Sequence, residues 1–226
     1  MPPGLVTGVH STYTAPILGA DGRYVGAVNE LQRLDVATGA RTTLGREGRD
    51  PAVSTAGDAA LAYVAATPGT FAPVLWLADT DGHDARQLVG PAARFQAIAR
   101  PRFSPDGRTI IFAGSGGPTA GGATTPARAP PPGVVARFAR WLVAPLVPAE
   151  AAAHGQPAEL WAVDRASGAI HRLTTLNLDD PVPAWSPDGG HIAIMAGTGL
   201  YIVNADGGGP VRIARHGYST LLWAAR

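Results

Sequence analysis

The 226-residue chain contains no cysteine and no lysine. Without thiols there are no disulfide staples, thiolate metal sites or cysteine nucleophiles. All 18 basic residues are therefore arginine, and against 17 acidic residues they leave a formal charge of +1. That balance lacks the clustered basic excess of a nucleic-acid footprint, so no nucleic-acid partner is expected. Only 15% of residues are charged while 46% are hydrophobic, which suits a packed core and not a self-repelling disordered polymer. No run approaches the roughly 18 to 20 consecutive apolar residues of a membrane-spanning helix. The opening MPPGLVTGVHSTY has neither a basic n-region nor an apolar h-region, so the expectation is a cytoplasmic or already processed chain.

Catalytic motifs are missing as well. A serine hydrolase elbow reads Gly-x-Ser-x-Gly; the nearest approaches, GSGG at Gly114 and HGYST at His216, lack its second glycine. The His-Glu-x-x-His spacing of a helical zinc site is absent. Of the six histidines, His83 falls in a turn and His191 follows one, and these two are expected to be solvated and not ligating, while His171 sits on an outer strand away from any channel. The DTDG and NADGG turns resemble the opening of a calcium loop without its alternating ligands and closing Glu. No enzyme activity, cofactor or metal is expected on these grounds.

What the chain does have is a repeat. Ser-Pro-Asp-Gly occurs at Ser104–Gly107 and again at Ser186–Gly189, each time after an aromatic residue and before a short apolar run. Two degenerate copies precede them, TAPILGADGRYVGAV from Thr14 and RDPAVSTAGDAALAYV from Arg49, and STLLWAAR around Trp223 begins another. The prolines that introduce the copies, Pro16, Pro51, Pro101 and Pro183, are spaced 35, 50 and 82 residues apart. Setting aside the Gly/Pro/Ala-rich residues 115–157 brings the last interval to 39. A period near forty residues marks four-stranded propeller blades.

Within a copy, an apolar strand leads into a β-turn in which Pro presets φ, Gly takes positive φ and Asp bonds nearby backbone N–H groups. Second strands follow as YVGAV, ALAYV, TIIFAG and HIAIMAG, third strands as LQRLDV, VLWLAD, ELWAVD and LYIVNAD, and fourth strands as ARTTL, ARQLV, IHRLT and PVRIA. The expected fold is all-β, with blades near residues 13–46, 49–90, 99–176 and 181–215 and an extra strand at 219–225. Phe103, Trp76, Trp161 and Trp185 are expected to pack between blades.

This pattern resembles the WD40-like Ser-Pro-Asp-Gly propeller repeats of the TolB-like family, also found in tricorn-type and prolyl-oligopeptidase-type peptidases. The resemblance runs from about Thr14 to Arg226 apart from the insertion, and implies a propeller that serves mainly as a binding platform. Copy one reads as owning four strands, so four copies and a lone strand make fewer blades than the six to eight usual in that family. Three readings follow: a split member with blades elsewhere, an arc completed by another subunit, or a four-bladed ring with a spare strand. An incomplete arc is the expectation.

Two regions are candidates for binding. In the insertion, Val134, Val135, Phe138, Trp141 and Leu142 fall on one helical face, with Arg137 and Arg140 off it and Pro145 limiting its length. Such a segment can dock on its own propeller, on a partner groove or at a membrane surface. At the starts of the first strands, Arg46, Glu47, Arg49, Asp50, Arg100, Asp179 and Asp180 gather charge around the mouth of the channel. Convergence would make Arg49, Asp50, Arg100, Asp179 and Asp180 a mouth for a polar ligand or peptide terminus; dispersal would leave a solvated rim. The expected function is a non-enzymatic protein-interaction or scaffold module, with a protein partner or self-association. The alternative is an accessory propeller of a peptidase or polysaccharide-lyase-like enzyme.

Overall fold

Alternation in the second and third strands decides how the sheets stack, because successive side chains of a strand point to opposite faces. The computed structural model describes residues 7–18, 22, 24–67, 72–118, 157–215, 221 and 223. The expected helix at Val134–Leu142 and most of the strand expected at 219–225 lie outside the described residues.

Among the described residues, fifteen strands form four antiparallel sheets in chain order. The first contains β1 (Thr7–Leu18), β2 (Tyr24–Asp35) and β3 (Arg41–Glu47). The second contains β4 (Arg49–Val53), β5 (Ala60–Ala66), β6 (Pro73–Asp79) and β7 (Arg86–Val89). The third contains β8 (Phe95–Phe103), β9 (Thr109–Gly116), β10 (Glu159–Asp164) and β11 (Ile170–Arg172). The fourth contains β12 (Val182–Trp185), β13 (His191–Ala196), β14 (Gly199–Asn204) and β15 (Val211–Ala214). Each sheet is a meander of neighbouring strands, the arrangement of propeller blades.

The first sheet corrects one reading of the sequence. YVGAV and LQRLDV are not two strands but parts of β2, paired with β1 from Thr7↔Asp35 to Leu18↔Tyr24 with bulges between Tyr13 and Ala15 and between Ile17 and Leu18. Asn29 and Glu30 between them supply neither Gly nor Pro, so nothing turns the chain, and among the described residues the first blade has three strands instead of four.

Three apolar layers separate the four sheets. On β9, Ile110 and Phe112 face the second sheet while Ile111 faces the fourth. On β5, Ala60, Ala62 and Val64 face the third sheet, whereas Leu61 and Tyr63 face the first. The middle sheets are thus apolar on both faces and read as near-continuous hydrophobic runs. Phe95, edge-on to both Phe112 and Trp161 with ring centroids 5.3 and 5.0 Å apart, fills the layer between the second and third sheets. Phe103 and Trp161 lie in that layer, Trp185 in the next and Trp76 in the first. Arg33–Asp81 and Arg165–Asp58 add ion pairs between successive blades.

The first strands stand side by side, β1 against β4, β4 against β8 and β8 against β12. Among the described residues β12 has no contact of similar extent with β1, so the sheets form an arc and not a closed ring.

Candidate functional site

Two of the inner strands carry bulges. The ladder between β4 and β5 slips between Arg49 and Ala52, and that between β8 and β9 slips between Ala99 and Arg102. Pro51 and Pro101 sit at these slips, and a proline cannot donate to a ladder, which is why it settles at a bulge. The residue before each proline takes a left-handed conformation, Asp50 at φ 52° and Arg100 at φ 54°. In the fourth blade Asp180, before Pro181, does the same at φ 48°, ahead of β12. A residue preceding proline is normally pushed to extended backbone. Left-handed non-glycine residues at three such points are costly, and such strain concentrates where a side chain must be aimed.

The aimed side chains meet. Arg49 donates through Nη1 to Asp50 Oδ2 at 2.7 Å and through Nη2 to the carbonyl of Ile98 at 2.8 Å. The backbone N–H of Arg100 donates to the same Asp50 Oδ2 at 3.3 Å. The Arg100 guanidinium reaches across to the fourth blade, donating from Nη2 to Asp180 Oδ1 at 2.9 Å and Oδ2 at 2.7 Å. A continuous polar chain, Arg49–Asp50–Arg100–Asp180, therefore ties together blades two, three and four. It is accessible: the side chains of Arg49, Asp50, Arg100 and Asp180 are 43, 33, 32 and 25% exposed. Asp179 stands beside it, its carbonyl accepting from Gly197 N at 2.9 Å.

Two contributors escaped the sequence reading. Half-buried Arg102 follows the β8 bulge, and the one hydrogen bond of its side chain among the described residues runs from Nη1 to the Pro101 carbonyl at 2.8 Å. Burial pulls its guanidinium below the usual arginine range; the Asp50 charge opposes this and Arg100 adds to it. Its spacing carried the signal, since it lies one residue past the bulge proline. Glu159 anchors the approach to Asp179 and Asp180. Its Oε2 accepts from Thr174 Oγ1 at 2.6 Å and Leu176 N at 2.9 Å, and its Oε1 accepts from Asn177 N at 2.7 Å. Nothing local marks this role, because the partners lie 15 to 18 positions away.

The Ser-Pro-Asp-Gly turns lie at the other ends of the inner strands and are closed on themselves. Ser104 Oγ donates to Asp106 Oδ1 at 2.6 Å and accepts from Thr109 N at 3.0 Å, and Ser186 repeats this with Asp188 at 2.5 Å and His191 N at 2.9 Å. The serine hydroxyls, with the N–H groups of Arg108 and Gly190, hold both carboxylates below their usual range. These are capped turns. His83, His171 and His191 are exposed and His10 is half-buried; among the described residues no group of three or more His, Asp or Glu is placed to hold a metal ion.

No family model and no curated protein matches the chain. Solved structures do. TolB from Acinetobacter baumannii is 15% identical with a TM-score of 0.53, over 91% of this chain and 44% of that one. The putative TolB from Agrobacterium tumefaciens is 18% identical with a TM-score of 0.54, over 90% of this chain and 62% of that one. The acylaminoacyl peptidase of Pyrococcus horikoshii is 11% identical with a TM-score of 0.50, over 96% of this chain and 31% of that one. This chain spans less than two thirds of the length of each. At these identities the likeness is one of fold, and with the four meandering sheets it establishes an all-β, TolB-like propeller arrangement.

Proposed function

We propose that the chain is a non-enzymatic interaction module that receives a carboxylate-bearing peptide segment at the rim of its inner strands. The observation that carries this reading is Arg100, which links Asp50 of the second blade to Asp180 of the fourth and so gathers charges from three blades at one accessible place. Within that group Arg49 and Arg100 are engaged by carboxylates, whereas Arg102 is bonded only to a backbone carbonyl among the described residues. A guanidinium offers a planar fork of donors suited to a carboxylate, and partial burial strengthens the pairing. The polar chain around it holds the rim in shape. Fold likeness supplies the context, and the site supplies the argument.

The test is fluorescence anisotropy with labelled short peptides in free-acid and C-terminally amidated forms. The expected result is binding of free acids, weakened about tenfold or more by amidation or by Arg102→Gln. Equal binding of both forms, unaffected by Arg102→Gln, would overturn the carboxylate reading; no binding by any peptide would overturn the rim as a mouth. A second reading, an accessory propeller of a peptidase, is favoured by the likeness to the acylaminoacyl peptidase. In that case the rim variants would abolish capture of a folded hydrolase domain and leave peptide binding unchanged.

A further inference from the structure

The two carboxylates of the rim are engaged differently. Asp180 gives both oxygens to one guanidinium, Oδ1 at 2.9 Å and Oδ2 at 2.7 Å from Arg100 Nη2. Asp50 takes both of its bonds on a single oxygen: Arg49 Nη1 and the backbone N–H of Arg100 donate to Oδ2 at 2.7 and 3.3 Å. Its Oδ1 accepts no hydrogen bond among the described residues. The side chain is tied to the second and third blades at once and rises from a left-handed backbone at φ 52°. Oδ1 is thus an acceptor fixed in place and left open.

Unused donors accompany it. Arg102 follows Arg100 by two positions on β8, and its charge and that of Asp50 act on each other. Its Nη1 is bonded to the Pro101 carbonyl, which leaves Nε and Nη2 without partners among the described residues. A ligand carboxylate drawn to Arg102 is therefore also drawn toward Asp50, and the two like charges repel unless the ligand brings a donor with it. The C-terminal residue of a peptide brings one, because its own backbone N–H stands on the carbon that carries the carboxylate. In an aspartate or glutamate side chain the carboxylate lies one or two methylenes farther from its N–H.

Resting on the carboxylate reading of the rim, we infer that Asp50 makes the site specific for a peptide C-terminus. The terminal carboxylate pairs with Arg102, and the N–H of the same residue donates to Asp50 Oδ1. A site built to receive a hydrogen bond discriminates against a ligand that lacks the donor, since its own polar group is then left unpaired. Asp50 is in this sense the specificity-determining residue, and Arg102 the affinity-determining one.

An ester substitution isolates the N–H. Labelled pentapeptides of four alanines ending in alanine, leucine or phenylalanine are each paired with the analogue whose last residue is the matching α-hydroxy acid, so that oxygen replaces one N–H and the carboxylate stays. By fluorescence anisotropy on the full chain the ester is expected to bind about tenfold more weakly than the amide. Asp50→Asn keeps an oxygen for Arg49 and Arg100, turns an NH2 to the open place and tolerates the left-handed backbone. With wild-type far-UV circular dichroism retained, this variant is expected to bind ester and amide within about twofold of each other. Equal binding of ester and amide by the wild type overturns the role of Asp50 while leaving the carboxylate reading standing, and needs no variant. An ester penalty as large in Asp50→Asn as in the wild type overturns it too, as does an amidated peptide with an internal glutamate that binds as tightly as the free acids. Equal binding of free acids and their C-terminal amides, or no binding at all, overturns the reading of the rim and this inference with it.

Discussion

The two ends of the inner strands use aspartate in opposite ways. At the Ser-Pro-Asp-Gly end, Asp106 and Asp188 bond within their own turns, to a serine two positions back and an N–H two positions on. At the rim, Asp50 and Asp180 answer to Arg100 from 50 and 80 positions away. Local bonding is complete as soon as the turn forms, so it repeats from blade to blade and contributes to scaffold alone. Long-range bonding exists only once three blades have stacked, and its groups stay accessible. The difference separates structure from site.

Breaking the turn end should have the largest effect on stability. Ser104→Ala or Ser186→Ala leaves a strand N–H and a carboxylate without their shared hydroxyl, and is expected to cost about 1–3 kcal/mol in urea denaturation while leaving peptide binding at the rim intact. Gly107→Ala should cost about 2 kcal/mol and Gly189→Ala about 1. Both glycines have φ near +70°, but a Cβ at Gly107 would stand 2.9 Å from the Ala56 Cβ, whereas at Gly189 the nearest atom is 3.6 Å away. Equal losses would remove the distinction between a strained turn and a crowded one.

Acid sharpens the contrast further. The folded-state pKa values of Asp106 and Asp188 lie below the ordinary 3.8, first through their serine partners. Their stabilisation is therefore complete above that value and is lost as pH falls through the depressed folded values. The melting temperature of the wild type should fall as pH drops from 5 to 3, and less steeply for Asp106→Asn with Asp188→Asn. Smallest in stability is the rim itself. A double-mutant cycle on Arg100→Ala and Asp180→Ala should give a coupling below about 1 kcal/mol, shrinking with added salt. The same variants should nonetheless disrupt peptide binding. A coupling several-fold larger would make the rim a structural clamp.

The blades were legible because their signals are local. A turn tetrapeptide and a two-residue alternation recur, and the strands from Ala60 to Val64 and from Thr109 to Gly114 lie where those signals put them. The first blade was misread for want of a local break between Val28 and Leu31. The rim was half legible. Arg49, Asp50, Arg100 and Asp180 could be named from their place just before the prolines that introduce each repeat, but not their pairing; Arg49, Asp50 and Arg100 lie within β4 and β8, and not in loops ahead of them. Arg102 and Glu159 were passed over because one reads as an ordinary strand residue and the other as the start of a strand.

Strand order within each blade, the closed serine–aspartate turns and the apolar layers follow from residues near one another in the chain, where propensity, turn chemistry and side-chain alternation act before any long-range contact forms. Which carboxylate meets which arginine was decided only by stacking. That outcome depends on bulges that redirect Asp50 and Arg100 and on the packing that brings Asp180 to Arg100. Both are properties of paired strands and packed sheets, not of any one segment.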